Sequence, residues 1–318
     1  MAARVEAICL SDKKGIPKSP VQAAHFSENH GLDGDAHAGP GHRQVSLLGQ
    51  EDIDSFKHAG RLDLVSGAFA ENLVVSGVDM ASLGLGSELR VGEETLLGIT
   101  QLGKRCHQRC AIHDKTGDCI MPRLGLFARV LAGGLVTVGD AVQVQRLVDR
   151  ATFQVVVLTL SDRGSRGETE DTAGPAVADL VKGAMAAHVY RTELLPDDRQ
   201  ELAARLSHYA DGHGIDLILA VGGTGFSPRD VTPEAVRDVV ERLTPGLDEA
   251  MRLASLAVTP WAMLSRALSG IRGETLIVSL PGSLRAASEN LRAILPALPH
   301  GLAKLRGDGG DCAPEITV

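Results

Sequence analysis

Aromatic residues are scarce in this chain: six Phe, two Tyr and one Trp, 3% of 318 positions, leave few rings on which nucleobases could stack. Basic residues are outnumbered, 32 Lys and Arg against 40 Asp and Glu, for a net charge of −8. A nucleic-acid surface needs a basic field, so the composition argues against such a partner. No stretch approaches the roughly 18 uninterrupted apolar residues of a membrane span, and the first residues lack the apolar core of a secretory signal. Five cysteines form an odd count. Without a secretory signal they fit reduced thiols in the cytoplasm better than a disulfide framework.

What is present is an ordinary globular composition, 44% hydrophobic and 23% charged. The length exceeds what one core usually serves, which predicts two domains, 1–148 and 149–318, with a short polar linker at Arg146 to Thr152. The first half carries short strand-like runs separated by glycine: Val5 to Leu10, Gln44 to Leu48, Leu73 to Val75, Glu88 to Val91, Thr95 to Thr100 and Val142 to Val148. That spacing predicts a mostly-β fold, a β-barrel or a relative of one, with helical insertions at Gln50 to Ala59 and Leu124 to Leu131.

Polar residues gather at two places in this half. One is Gly31 to Gly39, containing Asp33, Asp35 and His37, followed by His42-Arg43-Gln44-Val45. The other runs from Thr100-Gln101 through Lys104-Arg105-Cys106-His107-Gln108-Arg109-Cys110, with Cys119 beyond. Positive neighbours favour a thiolate, which makes Cys106 a candidate sulfur carrier or soft-metal ligand. The spacing of Cys106, Cys110, Cys119, His107 and His113 is not that of a zinc ribbon or finger. Cys9 and Cys312 read as small buried hydrophobes, and His37 fits a loop-ordering side chain as well as a functional one.

On Gly31 to Gly39, His42 to Val45, Phe69 to Gly77 and the Thr-Gln lead-in to Cys106, the first half resembles the MOSC family. That family takes its name from the C-terminal part of molybdenum-cofactor sulfurases. The resemblance implies a β-barrel that handles sulfur or the molybdenum cofactor through one cysteine, which falls on Cys106; Cys110 and Cys119 leave open which thiol serves.

The second half alternates strands and helices: Phe153 to Leu160, Gly174 to Met185, Val189 to Leu195, a helix from Asp198 to about Ala210, Leu217 to Val221, a helix opened by Thr232, Leu276 to Leu280, and Leu284 to Leu295. Such alternation predicts an α/β three-layer fold with a mostly parallel sheet. In such sheets ligands bind beyond the C-terminal strand ends. Ser161 and Asp162, Asp197 and Asp198, Gly222-Gly223-Thr224-Gly225 and Pro281-Gly282-Ser283 all fall there. The glycines free the backbone for positive φ and gather amide N–H groups into an anion cradle, while Thr232 with Pro233 and Glu234 reads as a helix N-cap. Neither the P-loop nor the dinucleotide pattern matches. Ser265-Arg266 offers a hydroxyl and a guanidinium fork for phosphate. Asp230, beside the cradle, calls for a shared cation such as Mg²⁺.

Through Thr159 to Asp162, Leu195-Pro196-Asp197, Gly222 to Gly225, Asp230 to Ala235, Met251-Arg252, Leu264-Ser265-Arg266 and Leu280-Pro281-Gly282, the second half resembles the Mog family of molybdopterin-binding proteins over residues 153–306. The resemblance implies that ATP and molybdopterin give adenylylated molybdopterin and pyrophosphate with Mg²⁺, the two functional aspartates falling on Asp197 and Asp230. It also implies a homo-oligomer, a trimer, and other molybdenum-cofactor pathway enzymes as partners. Some branches of the family bind molybdopterin without clear adenylylating activity. A carrier that passes molybdopterin or finished cofactor to the first half, and a cofactor sulfurtransferase acting through Cys106, are therefore the alternatives to set beside it.

Overall fold

The computed structural model describes residues 2–60, 64–103 and 119–309. Cys106, Cys110, the basic residues around them and Cys312 lie outside that set. The chain divides into two compact units, Met1–Thr152 and Phe153–Val318.

The first unit contains β1 (Arg4–Leu10), β2 (Ser19–Val21), β3 (Ala23–Ser27), β4 (Gly31–Leu32), β5 (Val45–Gly49), α1 (Gln50–Gly60), β6 (Leu73–Ser76), β7 (Glu88–Val91), β8 (Thr95–Leu102), α2 (Met121–Leu124), β9 (Leu126–Ala132), β10 (Gly134–Thr137) and β11 (Val142–Arg146). Among the described residues the strands form a mixed eight-stranded sheet, β11-β7-β8-β9-β5-β6-β1-β2, and a three-stranded sheet, β10-β3-β4. Alternate residues of these strands, including Ile8, Phe26, Leu47, Leu97 and Val130, build one apolar core. Val5 N–H donates to the Asp140 carbonyl at 2.9 Å and its carbonyl accepts from Gly139 N–H at 2.8 Å, which joins β1 to the chain entering β11.

Two expectations are corrected here. Leu126–Ala132 is a strand, not the end of a helix. Its apolar run satisfies either period, and pairing on both sides, with β5 and β8, decides the conformation. The segment after Arg146 is not a free linker. Val148 is buried, exchanges hydrogen bonds with Ser87 Oγ at 3.0 and 3.2 Å, and accepts from Gly84 N–H at 2.8 Å, so this stretch is strapped onto the first unit.

The second unit contains β12 (Phe153–Leu160), α3 (Asp162–Ser165), α4 (Ala173–Ala184), β13 (Ala187–Leu195), α5 (Arg199–Gly212), β14 (Leu217–Val221), α6 (Thr232–Val239), β15 (Arg242–Leu243), α7 (Pro245–Leu256), β16 (Ser269–Arg272), β17 (Thr275–Leu280), α8 (Leu284–Ile294) and α9 (Leu298–Leu305). Its sheet runs β13-β12-β14-β17-β16-β15, parallel across the first four strands and antiparallel across the last two pairings. Leu217–Val221 is fully buried, as a central strand covered on both faces must be. Leu219 and Val221 pack with Val177, Val181, Leu291 and Ile294 in one layer. Burying each such side chain contributes about 1.5–3 kcal/mol. Parallel pairing places Leu160 opposite Leu195, Thr159 opposite Val221, and Val221 opposite Leu280, so four strands end level at one rim. No helix among the described residues is long and apolar enough to cross a membrane.

Candidate functional site

At that rim β14 gives way to the glycine turn. Gly222 and Gly223 adopt φ of +110° and +61°. A Cβ on Gly222 would lie 2.5 Å from the Leu160 carbonyl oxygen, and one on Gly223 would lie 2.6 Å from Thr232 Oγ1 and 3.4 Å from Asp197 Oδ1. Gly225 keeps an ordinary φ; what it provides is proximity, since a Cβ there would approach Asp230 Oδ2 to 2.9 Å. Gly222 N–H donates to the Leu280 carbonyl at 2.9 Å, whereas no described residue accepts from the N–H groups of Gly223, Thr224 and Gly225. Three successive amides are thus left for an outside acceptor, the requirement for an anion cradle.

Thr232 serves this turn in a way its sequence position does not announce. It is the first residue of α6, not its cap, and its fully buried hydroxyl donates to the Gly222 carbonyl at 2.7 Å. The reason is local: a carbonyl turned inward by positive φ needs a donor, and the hydroxyl is the one at hand. Thr232→Val, nearly isosteric, is expected to cost about 1–3 kcal/mol because it leaves that carbonyl unpaired; chemical denaturation of the two proteins measures it.

Asp162 and Asp197 clasp each other. Asp162 N–H donates to Asp197 Oδ2 at 2.9 Å and Asp197 N–H to Asp162 Oδ1 at 3.1 Å. Burial pushes the Asp197 carboxyl above its ordinary range; the negative charges of Asp162 and Asp230 add to this, and the Asp162 amide and the Arg229 charge oppose it. Asp230 Oδ2 accepts from Ser227 N–H at 2.8 Å. Asp197 Oδ1 and Asp230 Oδ1 accept no hydrogen bond from a described residue. Hard oxygens at this rim fit a cation such as Mg²⁺.

Arg266 does not offer a free fork. Its Nε donates to the Gly225 carbonyl at 2.7 Å, Nη2 to the Asp230 carbonyl at 2.6 Å and Nη1 to Glu234 at 2.5 Å, and its own N–H donates to the Thr224 carbonyl at 2.9 Å. It pins the loop that carries the amides and Asp230. Ser161 and Ser283 cap α3 and α8, accepting from Gly164 N–H and Ala286 N–H. Gly282 packs against Gly222, where a Cβ would lie 3.2 Å from the Gly222 Cα. Ser265 and Pro281 line a cavity of about 270 Å³ beside the turn, together with Thr224, Trp261, Leu264 and Asn290.

Sequence reasoning missed Arg229, whose guanidinium grips Asp162 at 2.9 and 2.7 Å. It also missed Trp261 and Asn290. Only the charge of Arg229 next to Asp230 pointed that way; its partner lies 67 positions earlier.

In the first unit, Asp35 is buried and paired with Lys18; it also accepts from His37 N–H at 2.9 Å, and Lys18 Nζ lies 3.3 Å from His37 Nδ1. Burial alone would raise the Asp35 carboxyl, but the hydrogen bonds from His37 and Lys18 more than reverse it and hold it well below the usual range. Gln101 is also buried, with its Oε1 bonded to His42 at 3.1 Å and to Arg43. Cys9 is fully buried, and burial, aided by the Glu71 charge, pushes its thiol up to about 12, which removes it as a nucleophile.

The family described as "Probable molybdopterin binding domain" matches residues 156–300, and the MOSC domain matches residues 25–143. A molybdopterin adenylyltransferase of Helicobacter pylori (strain J99) is 36% identical over 158 residues, 49% of this chain and 90% of that protein. The chain belongs to the molybdopterin-binding family, with a MOSC domain ahead of the matched region. Gephyrin of Dictyostelium discoideum is 39% identical over 170 residues, which are 51% of this chain and 24% of that protein. The crystal structure of the molybdopterin biosynthesis enzyme MoaB from Thermus thermophilus aligns at 48% identity with a TM-score of 0.47, covering 49% of this chain and 98% of that one. The glycine turn, both aspartates and the cavity all lie within the molybdopterin-binding match.

Proposed function

We propose that the second unit adenylylates molybdopterin, within molybdenum cofactor biosynthesis. The observation that carries this reading is the run of three unengaged amides at Gly223, Thr224 and Gly225, set between Asp197 and Asp230. The adenylyltransferase relatives support it. The amides would hold a phosphate, and the neighbouring cavity has Trp261, Leu264 and Pro281 in its lining, apolar groups suited to a planar pterin. In the reaction a terminal phosphate oxygen of molybdopterin bonds to the α-phosphorus of ATP, the bond from that phosphorus to the bridging oxygen breaks, and pyrophosphate leaves with the electron pair. The attacking phosphate is already anionic at neutral pH, so positioning and charge neutralisation supply the catalysis. Asp197 and Asp230 would hold Mg²⁺, which supplies neutralisation of the triphosphate charge. Pyrophosphate release by the purified chain should require molybdopterin, ATP and Mg²⁺ together; tight pterin binding without turnover would favour the carrier reading instead.

Because the Asp197 carboxyl is raised, protons compete with the cation at higher pH than for an ordinary aspartate at about 3.9. Cation binding needs the deprotonated form. The Mg²⁺ concentration that half-saturates ATP binding is therefore expected to climb as pH falls, starting above the ordinary carboxylate range; Mg²⁺ titrations at a series of pH values measure it.

For the first unit we propose handling of sulfur or molybdenum cofactor through Cys106, and separately that its sheet closes into a barrel. The bonds of Val5 to Asp140 and Gly139 support closure. Tethering two steps on one cofactor raises the effective concentration of an intermediate at the next site. We also propose that the second unit self-associates, as a trimer, in the cytoplasm and alongside other enzymes of the pathway; exposed Leu253 and Met263 support the self-association alone.

A further inference from the structure

Arg229 sits between two pinned points of the loop that closes the glycine turn. Ser227 and Asp230 exchange hydrogen bonds at 2.8 and 2.9 Å, and Arg266 holds the Asp230 carbonyl at 2.6 Å. The Arg229 side chain is 62% exposed, yet it reaches back to the end of β12 and grips both oxygens of Asp162 at 2.9 and 2.7 Å. Asp162 Oδ1 has a second donor, Asp197 N–H at 3.1 Å, so Asp162 stays anchored when the guanidinium leaves. The pair is exposed to solvent and therefore screened by salt. A triphosphate at the neighbouring amides offers the same planar fork a partner of higher charge.

We propose that Arg229 is a positioning residue with two alternative partners, the Asp162 carboxylate and a phosphate of the nucleoside triphosphate, and that exchange between them couples nucleotide binding to cation binding. This rests on the adenylylation reading of the site. When Arg229 turns to phosphate, Asp162 and Asp197 lose the guanidinium that partly balances them, and their charge, beside that of Asp230, strengthens the demand for a divalent cation. Coupling of this kind is reciprocal, so Mg²⁺ tightens ATP as ATP tightens Mg²⁺.

The test is calorimetric titration of the full chain with ATP and Mg²⁺, without molybdopterin, so that no turnover is involved. Arg229→Ala should weaken ATP about tenfold, the scale of a lost charge-assisted hydrogen bond. Asp162→Asn keeps Oδ1 as the acceptor for Asp197 N–H but removes the charge and the acceptor for Arg229 Nε, so it loosens the guanidinium and should tighten ATP several-fold; a purely structural clasp predicts weakening. The decisive comparison is Asp162→Asn in the Arg229→Ala background, where the gain should vanish. A gain that persists there comes from simple relief of negative charge and overturns the exchange, as does unchanged ATP affinity in Arg229→Ala or an Asp162→Asn protein that binds no tighter. If the wild-type chain binds no ATP with Mg²⁺, the adenylylation reading falls and takes this proposal with it; if wild type binds and the variants do not shift as stated, only the exchange falls.

Discussion

Asp230→Asn is expected to slow pyrophosphate release on the order of 100- to 1000-fold, the scale on which a preorganised charge-stabilising group acts. The substitution isolates charge from structure. Asn keeps an oxygen to accept from Ser227 N–H, and the Asp230 carbonyl that receives Arg266 is untouched, so the turn should keep its shape. Thermal unfolding should shift by only a few degrees. Asp197→Asn makes the companion test, since its oxygen also retains the Asp162 amide. If either protein turned over at the wild-type rate, that carboxylate would not hold the cation that neutralises the triphosphate.

The second large effect is expected at Gly222. With φ of +110° and the Leu160 carbonyl oxygen 2.5 Å from the position of an added Cβ, Gly222→Ala meets both backbone strain and a contact that no side-chain rotation relieves. About 2–4 kcal/mol of destabilisation should follow, with phosphate-ligand binding lost because the cradle shifts with the turn. Gly183→Ala is the control. It lies in α4 with nothing within 4 Å of the added carbon, so it should be neutral or stabilise by up to about 1 kcal/mol. Urea titrations of the three proteins give the comparison, and equal stability of all three would remove the structural argument for the turn.

Much of the second unit could be read from its sequence because the signals are local. Leu217–Val221 is continuous and apolar since both its faces are covered, and the cap of Asp198 on α5, accepting from Glu201 N–H at 2.8 Å, is written in four consecutive residues. The strand ends could be placed at one rim because parallel pairing levels them. Partners distant in the chain could not be read. The Arg229 grip on Asp162 and the spending of Arg266 on Gly225, Asp230 and Glu234 are properties of loops brought together by folding. Thr232 looked like a cap because the residue type suits one; the cap position falls on Val231, and the Thr232 hydroxyl donates to the inward Gly222 carbonyl.

The first unit was harder for a related reason. Ser19–Val21, Ala23–Ser27 and Gly134–Thr137 are too short to show a period, and Leu126–Ala132 fits a helix as well as a strand until its two neighbours pair with it. The loop at Gly31 to Gly39 stood out by its polar residues, but the buried Lys18 that answers Asp35 carried no signal of its own. Cys106 falls outside the described residues, so its role rests on its basic neighbours in sequence and on the MOSC resemblance.

The most direct measurement is the mass of the pterin recovered from the purified chain after incubation with molybdopterin, ATP and Mg²⁺. The account predicts adenylylated molybdopterin, with pyrophosphate in equal amount, and unmodified molybdopterin when Asp230→Asn is used. Recovery of unmodified molybdopterin from the wild-type protein, with ATP intact, would contradict it and leave a protein that holds the pterin without transferring to it.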